Sequence, residues 1–195
     1  MNNSVYINHY SPSFLFDDYI ESSSAAKTWK YWCEKNNCDL IFELPKKLDS
    51  IDKLAIISSD VFVHWECPDF FSLVDSIGVV RETDDFAKIH NLVKNTNIFS
   101  GDYVNTDFIV LSKENFDLIP LNNIEFNEKI SSREVNYLPT AYNTTDPIRK
   151  DFFSHNWQLE DKTTFLFKYS YIWNLKNMKI DMIENIYNAV SGAYA

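Results

Sequence analysis

Hydrophobic and polar positions alternate along the chain in two spacings, one typical of helices and one typical of strands. Helical spacing predicts helices at 22–37, 84–95 and 179–190, with shorter helical turns at 45–53 and after Pro68. Short apolar runs predict strands at 39–44, 55–64, 77–81, 103–112 and 165–173, the fourth with a bend in its middle. Alternating helices and short strands indicate a three-layer α/β domain with a mostly parallel sheet. Right-handed crossovers then bring the carboxyl ends of the strands to one edge, where ligands usually bind.

The helix at 22–37 carries the clearest start and stop signals. Serines at 22–24 offer an N-cap, and Trp29 and Trp32 lie on one apolar face. Asn36 and Asn37 follow, and asparagine tolerates the left-handed conformation that ends many helices. These signals predict an amphipathic helix packed on the sheet.

Composition indicates one packed domain. The chain has 195 residues, of which 45% are hydrophobic and 16% aromatic, enough for a sizeable core. It contains no low-complexity tract, repeat or linker, so we expect residues 1–195 to form a single domain. With three glycines in total, the sequence has no Gly-rich loop to hold a phosphate.

Charge narrows the class of partner. The 28 acidic residues outnumber the 18 basic ones, for a net charge of −10, which disfavours binding to nucleic acid or to an anionic membrane. The sequence has no apolar run long enough to span a bilayer and no signal peptide. Three cysteines suit reduced thiols, so a cytoplasmic location is expected. An enzyme with metal-assisted chemistry and a protein-binding module both remain open.

Asp60 is the most informative polar residue because it interrupts the apolar run at 55–64. A carboxylate among strand residues is costly unless it is paired, hydrogen-bonded or bound to a cation. One interpretation is that Asp60 ends the strand and caps the following turn. The other is that it is a ligand at the edge of the sheet.

Five segments, in order, resemble motifs of the glycosyltransferase-A family. The first is similar to the family's sugar-nucleotide motif, a strand ending in Asp-X-Asp, an apolar turn, a proline and two aromatics; here it reads ISSDVFVHWECPDFF at 57–71. The segment AAKTWKYWCEKNNCDLIFEL resembles the family's first helix and second strand, and YVNTDFIVLSKEN resembles the strand beside donor and acceptor. The segment YLPTAYNTTDPIRKDF is similar to a late "LP-YN" segment, and FKYSYIWN is similar to the strand before the last helix.

The resemblance implies a glycosyltransferase-A fold that binds a nucleotide-sugar donor. In that family two carboxylates face a divalent cation, manganese or magnesium, which neutralises the leaving diphosphate. Short versions are frequent in tailed phages and their hosts, which implies a viral or bacterial protein in the host cytoplasm or the virion.

Three departures fall on the family's metal site. The motif reads Ser58-Ser59-Asp60, so a neutral hydroxyl replaces the first carboxylate. The family's histidine near the last strand is missing at 171–174. The stretch at 127–136 has neither the family's Asp-Gln pair nor its usual apolar helix. These departures predict a kept fold and an eroded metal site.

Other candidate residues allow a structural and a functional interpretation. His64 resembles a histidine common in short phage versions and could act as a base, or it could be structural at a strand end. Asn105 and Asp107 lie two apart and share a strand face, where they could bind a sugar hydroxyl or support a bend.

Two functions follow. In the first, the domain is degenerate, does not transfer sugar, and acts as an interaction or virion-associated protein with a protein partner. In the second, it is a minimal transferase: Ser58, Asp60 and Asn105 bind the donor, with Asp60 also as metal ligand, while Asp107 and His64 are the candidate catalytic residues. The three departures favour the first.

Overall fold

The structure is a computed structural model that describes residues 2–8, 23–83, 86–119, 121–145, 170–176 and 178–194. The strands in chain order are β1 (Asn3–Asn8), β2 (Asp39–Ile41), β3 (Lys53–Ser58), β4 (Val61–Val63), β5 (Ile77–Arg81), β6 (Val104–Ser112), β7 (Val135–Tyr137) and β8 (Ile172–Asn174). The α-helices are α1 (Ser24–Asn36), α2 (Phe86–Val93), α3 (Asn123–Ile130) and α4 (Ile180–Val190). None of the helices in these ranges is long and apolar enough to cross a membrane.

Six strands form the main sheet, in the order β2-β1-β3-β6-β5-β7. Strand β6 runs antiparallel to both its neighbours, β3 and β5, while the other pairings are parallel. Strands β4 and β8 pair antiparallel in a separate small sheet. The predicted α/β class with a mostly parallel sheet is confirmed.

The sheet is covered on both faces, which gives the molecule its three layers. In β3, Ala55 and Ile57 face the cluster that contains Trp29 and Trp32 of α1, because successive strand residues point to opposite faces. Leu54 and Ile56 face a second cluster that contains apolar residues of α3. Burial on both faces explains why this strand is almost continuously apolar in sequence.

Helix α1 begins and ends at capping residues. Ser23 precedes it, and its hydroxyl accepts a hydrogen bond from the Ala26 amide at 3.1 Å. Asn37 follows it with φ 55°, in the left-handed region. The indole nitrogens of Trp29 and Trp32 donate to the carbonyls of Val61 and Cys67 at 2.7 and 2.9 Å, which ties the helix to the polar backbone around β4.

Several predicted elements differ from the observed ones. The predicted single strand at 55–64 is wrong: a turn at Ser59 and Asp60 divides it into β3 and β4, which belong to different sheets. The helix predicted at 45–53 is wrong, and this segment consists of turns before β3. Most of the strand predicted at 165–173 lies outside the described residues, and in the described part the strand, β8, begins at Ile172.

Helix α3 was missed because its interior is polar. Its start is fixed by a capping box in which the Asn122 side chain accepts from the Glu125 amide and the Glu125 carboxylate accepts from the Asn122 amide. Phe126 and Ile130 then reach the core from one face. The segment therefore holds a helix although it lacks the apolar pattern expected from the family resemblance.

Candidate functional site

The register of the main sheet brings three strands together at one edge. Strand β6 runs opposite to β3 and β5, so its first half lies beside their carboxyl ends. Ile57 pairs with Phe108, which places Ser58 next to Asp107. Asn105 pairs with the end of β5 on the other side. The polar residues of two separate motifs therefore meet where ligands of α/β sheets usually bind.

Strand β6 contains a bulge that includes Asp107 at this edge. Val79 pairs with Ile109 whereas Val80 pairs with Asn105, so residues 106–108 bulge opposite the Val79–Val80 bond. The Asn105 side-chain oxygen accepts a hydrogen bond from the Asp107 amide at 2.8 Å and so supports the bulge. The bend predicted in this strand is confirmed.

Asp107 is the centre of a hydrogen-bonded cluster. Its side chain is 13% exposed. Its Oδ1 accepts from the Ser58 hydroxyl at 2.9 Å and its Oδ2 from the Asn174 amide nitrogen at 2.9 Å. The Lys176 ammonium donates to both oxygens, at 3.2 and 3.4 Å. A carboxylate offers about four acceptor positions, and these bonds use all of them.

Lys176 supplies the positive charge of the cluster. It follows β8, and its own amide donates to the Asn174 side-chain oxygen at 3.1 Å, which fixes the turn. Burial acts to lower the pKa of Lys176, but the charge and hydrogen bonds of Asp107, with the charges of Asp60 and Glu82, raise it on balance. The ammonium is therefore protonated at neutral pH. Its side chain is 57% exposed, so this charge also faces solvent.

Asp60 lies in the turn between β3 and β4. Burial raises the pKa of its carboxyl, and the negative charge of Asp107 raises it further, while its own amide and Lys176 oppose the shift. Its backbone carbonyl accepts a hydrogen bond from the Leu175 amide at 3.1 Å, joining the turn to the end of β8. Asp60 thus lies in the turn that separates two strands, two residues after the end of β3. It also lies in the electrostatic field of Asp107 and Lys176.

Glu82 completes the cluster from the end of β5. Its Oε2 accepts from the Asn105 amide nitrogen at 2.8 Å and its Oε1 accepts from the Thr83 amide at 2.8 Å. Burial, followed by the charges of Glu82 and Asp107, raises the pKa of Tyr103 at the start of β6. Asn105 is 8% exposed and has both ends of its amide engaged by these contacts.

His64 lies at the end of β4 in an aromatic environment and is 3% exposed. Its Nδ1 accepts from the Glu66 amide at 3.0 Å, which places the ring proton on Nε2. The ring stacks on Trp65 at 3.9 Å and meets Trp173 edge-on at 5.8 Å. These contacts suit a structural role at the end of the strand, and a catalytic role for His64 stays a prediction.

The residues at this edge do not fit a divalent cation. Magnesium and manganese need several oxygen ligands that are free to coordinate. In the ranges that the structure describes, no group of three or more His, Cys, Asp or Glu side chains could hold a metal ion. The oxygens of Asp107 are bound by Ser58, Asn174 and Lys176 instead. Asp60 as a metal ligand therefore stays a prediction that this geometry does not support.

Four of the five predicted site residues meet at this edge: Ser58, Asp60, Asn105 and Asp107. Sequence reasoning missed Glu82 and Lys176. Glu82 directly follows a strand, at the end where ligands bind in α/β sheets, and that position was a usable signal. Lys176 lies in a loop, and its direction could not be derived from spacing.

Comparison with known proteins bears on the fold. No protein-family model matches the sequence, and no curated protein matches it. Among solved structures, a glycosyltransferase involved in glycosylation of the major capsid of PBCV-1 is similar with a TM-score of 0.58 and 9% identity, over 97% of this chain and 100% of that one. The bifunctional glycosyltransferase WbbM is similar with a TM-score of 0.53 and 12% identity, over 95% of this chain and 49% of that one.

At such low identity these likenesses concern architecture alone. This chain spans the full length of the PBCV-1 enzyme and about half the length of WbbM. The mixed sheet and the similarity of both structures agree with the resemblance seen in sequence. The chain has the glycosyltransferase-A fold.

Proposed function

We propose that this protein is a degenerate glycosyltransferase-like domain that does not transfer sugar and acts as an interaction or virion-associated protein. The observation that supports this most is the carboxylate of Asp107, whose oxygens are bound by Ser58, Asn174 and Lys176. Metal-dependent transfer needs carboxylate oxygens at this edge that are free to hold a cation against the leaving diphosphate.

The charge balance at the edge of the sheet also disfavours a nucleotide-sugar donor. Among the residues that the structure describes, Asp60, Asp107 and Glu82 face one cation, Lys176. A diphosphate brought to this edge without a metal would meet more negative than positive charge, which is repulsive at short range. Binding of a protein partner requires no such cation.

A working minimal transferase is the second candidate, and one observation favours it. Lys176 is 57% exposed, so its ammonium could turn toward a leaving diphosphate while Asp60 or Asp107 orients the sugar. Catalysis would then rest on positioning and on one fixed charge, with no metal.

A turnover assay separates the two. The full chain is incubated with a panel of UDP- and GDP-sugars, with and without manganese, and release of free nucleoside diphosphate is measured. We expect no release above the buffer rate in any arm. Release that is lost in both D107N and D60N would overturn the proposal. Release lost in K176M and indifferent to manganese would establish the second candidate instead.

A further inference from the structure

We propose that the ammonium of Lys176 takes the place of a divalent cation at this edge of the sheet, so that the site is closed to metal by its own side chain. The inference concerns the same site and rests on the proposed function to the extent that both require a site without metal. It names Lys176 as the residue that excludes the metal, and it predicts that removing the charge of this side chain lets a cation bind at the site.

The first support is geometric. The Lys176 ammonium donates to both oxygens of Asp107, at 3.2 and 3.4 Å, in the manner of a cation shared by a carboxylate. The same carboxylate is held from its other sides by Ser58 and Asn174, at 2.9 Å each. Since these two neighbours fix the orientation of Asp107, the lysine binds a carboxylate that is already positioned.

The second support is the arrangement of charge. Three carboxylates, those of Asp107, Asp60 and Glu82, each act to raise the pKa of Lys176, so all of them lie within electrostatic range of its ammonium. The charge of Asp107, after burial, also raises the pKa of Asp60, so these two carboxylates lie close enough to repel one another. A cation relieves this repulsion, and Lys176 is the one that the described residues place there.

The third support is the way in which Lys176 is attached. The Asn174 side chain donates to Asp107 and accepts from the Lys176 amide at 3.1 Å, so a single residue ties both partners of the ion pair. A tethered cation competes with a dissolved one at a high effective concentration. A metal ion at ordinary concentrations would therefore have to displace a charge that the chain itself carries to the site.

Oxygen atoms suited to a hard cation remain once the ammonium is removed. Asp107 and Asp60 supply carboxylates and Ser58 a hydroxyl, while water completes the coordination of manganese or magnesium in many sites. Methionine matches the length of the lysine stem and carries no charge. The K176M variant should therefore gain cation binding without loss of packing.

The test is direct manganese binding by the full chain, without nucleotide, followed by electron paramagnetic resonance of free Mn²⁺ and by calorimetry. We expect no saturable binding to the wild type and binding at least tenfold tighter in K176M. K176R keeps the charge and should behave as the wild type. Lys179 is exposed and begins the next helix, so K179M is the matched control and should also bind no manganese.

Each outcome decides the inference. Saturable manganese binding to the wild type, or a K176M variant that is folded by circular dichroism and binds no better than K179M, would overturn it. Gain of binding that persists in K176M/D107N would place the cation elsewhere and overturn it too. If K176M does not fold, K176Q repeats the comparison. A wild type that releases diphosphate without metal would sink the proposed function and leave this inference standing.

Discussion

At the scale of single residues, Asp107 is an acidic side chain at the edge of the sheet that is only 13% exposed. Its carboxylate accepts hydrogen bonds from a hydroxyl at the end of β3 and from an amide and an ammonium at the end of β8. A polar group of this kind is costly to remove because its partners keep their desolvation penalty. Asp107 therefore contributes to stability whether or not it also takes part in binding.

D107A should lower the free energy of unfolding by about 1–3 kcal/mol, since Ser58, Asn174 and Lys176 lose their common acceptor. Asp102 offers a matched control: it pairs with Arg81, but both side chains are more than half exposed, at 54% and 55%. D102A should cost less than about 1 kcal/mol. Urea denaturation followed by tryptophan fluorescence measures both. Equal effects of the two substitutions would show that the Asp107 cluster contributes no more to the free energy of unfolding than an exposed ion pair.

Asp60 should make stability depend on pH in the unusual direction for an aspartate. Burial, with the charge of Asp107, raises its pKa in the folded chain, so the folded state loses stability as the pH rises from the unfolded pKa through the folded one. D60N cannot ionise, and it should have a higher melting temperature than the wild type at pH 7. The difference should disappear at pH values below the unfolded pKa of about 3.9.

Asp117 is a control for this measurement because its carboxyl pKa is shifted in the opposite direction. The hydrogen bond from Arg133 holds the pKa of its carboxyl below the usual value, so its contribution is present at neutral pH and is lost as the pH falls. D117N should therefore be slightly less stable than the wild type at pH 7. A D60N variant that is destabilised in the same way would contradict the burial of Asp60.

At the scale of the elements, the sequence predicts helices and strands with clear caps or apolar spacing better than it predicts where a strand is interrupted. Helix α1 and strand β5 occur where the sequence placed them, because a capped amphipathic pattern and a short apolar run each have one solution. The break at Ser59 and Asp60 was not predicted, since β3 and β4 are both apolar and the turn between them contains no glycine or proline. The departure of β4 into a second sheet depends on long-range pairing with β8.

The end of α1 provides a test at this scale. Asn37 adopts φ 55°, which asparagine tolerates, glycine adopts freely and alanine adopts only with strain. N37G should raise the free energy of unfolding by a few tenths to about 1 kcal/mol, and N37A should lower it by about 1 kcal/mol. Chemical denaturation gives both values. The ranking Gly, Asn, Ala is the expected result, and a more stable N37A would exclude a left-handed cap.

At the scale of the whole molecule, the last turn of the chain is joined to the region of the candidate site. The hydroxyl of Tyr194 donates to the carbonyl of Val63 in β4 at 2.6 Å. Its ring meets Tyr31 and Trp65 edge-on and stacks on Tyr187. Burial, followed by the nearby Tyr187 hydroxyl, raises the pKa of Tyr194, which keeps this donor protonated. The carboxyl-terminal segment thus stabilises the strand that follows Asp60.

Y194F should destabilise the protein by about 1 kcal/mol, because the Val63 carbonyl loses its donor while the ring contacts stay. Y187F keeps the stacked ring and its contact with the Lys27 ammonium, so it should change stability by less than about 0.5 kcal/mol. Amide hydrogen exchange adds a local readout: the amides of β4 should exchange faster in Y194F. Unchanged exchange of the β4 amides in Y194F would show that the hydrogen bond from Tyr194 does not stabilise this strand.

The whole fold was more predictable than the site. Alternating helices and strands with ordered motifs sufficed for the α/β class and the glycosyltransferase-A architecture. Ser58 and Asp107 could be named as candidates, but their contact required the register of β3 against β6. Lys176 comes from the far end of the chain, and its ion pair with Asp107 depends on the placement of β8. Such contacts arise from tertiary packing and leave no local pattern.

The central claim is that this edge of the sheet does not bind a metal–nucleotide complex. Calorimetric titration of UDP and of GDP into the full-length wild-type chain, with and without manganese, tests it most directly. The account predicts no manganese-dependent heat with either nucleotide, from a protein that circular dichroism shows to be folded. Saturable binding that requires manganese and disappears in D60A would contradict it and identify the site as a working donor site.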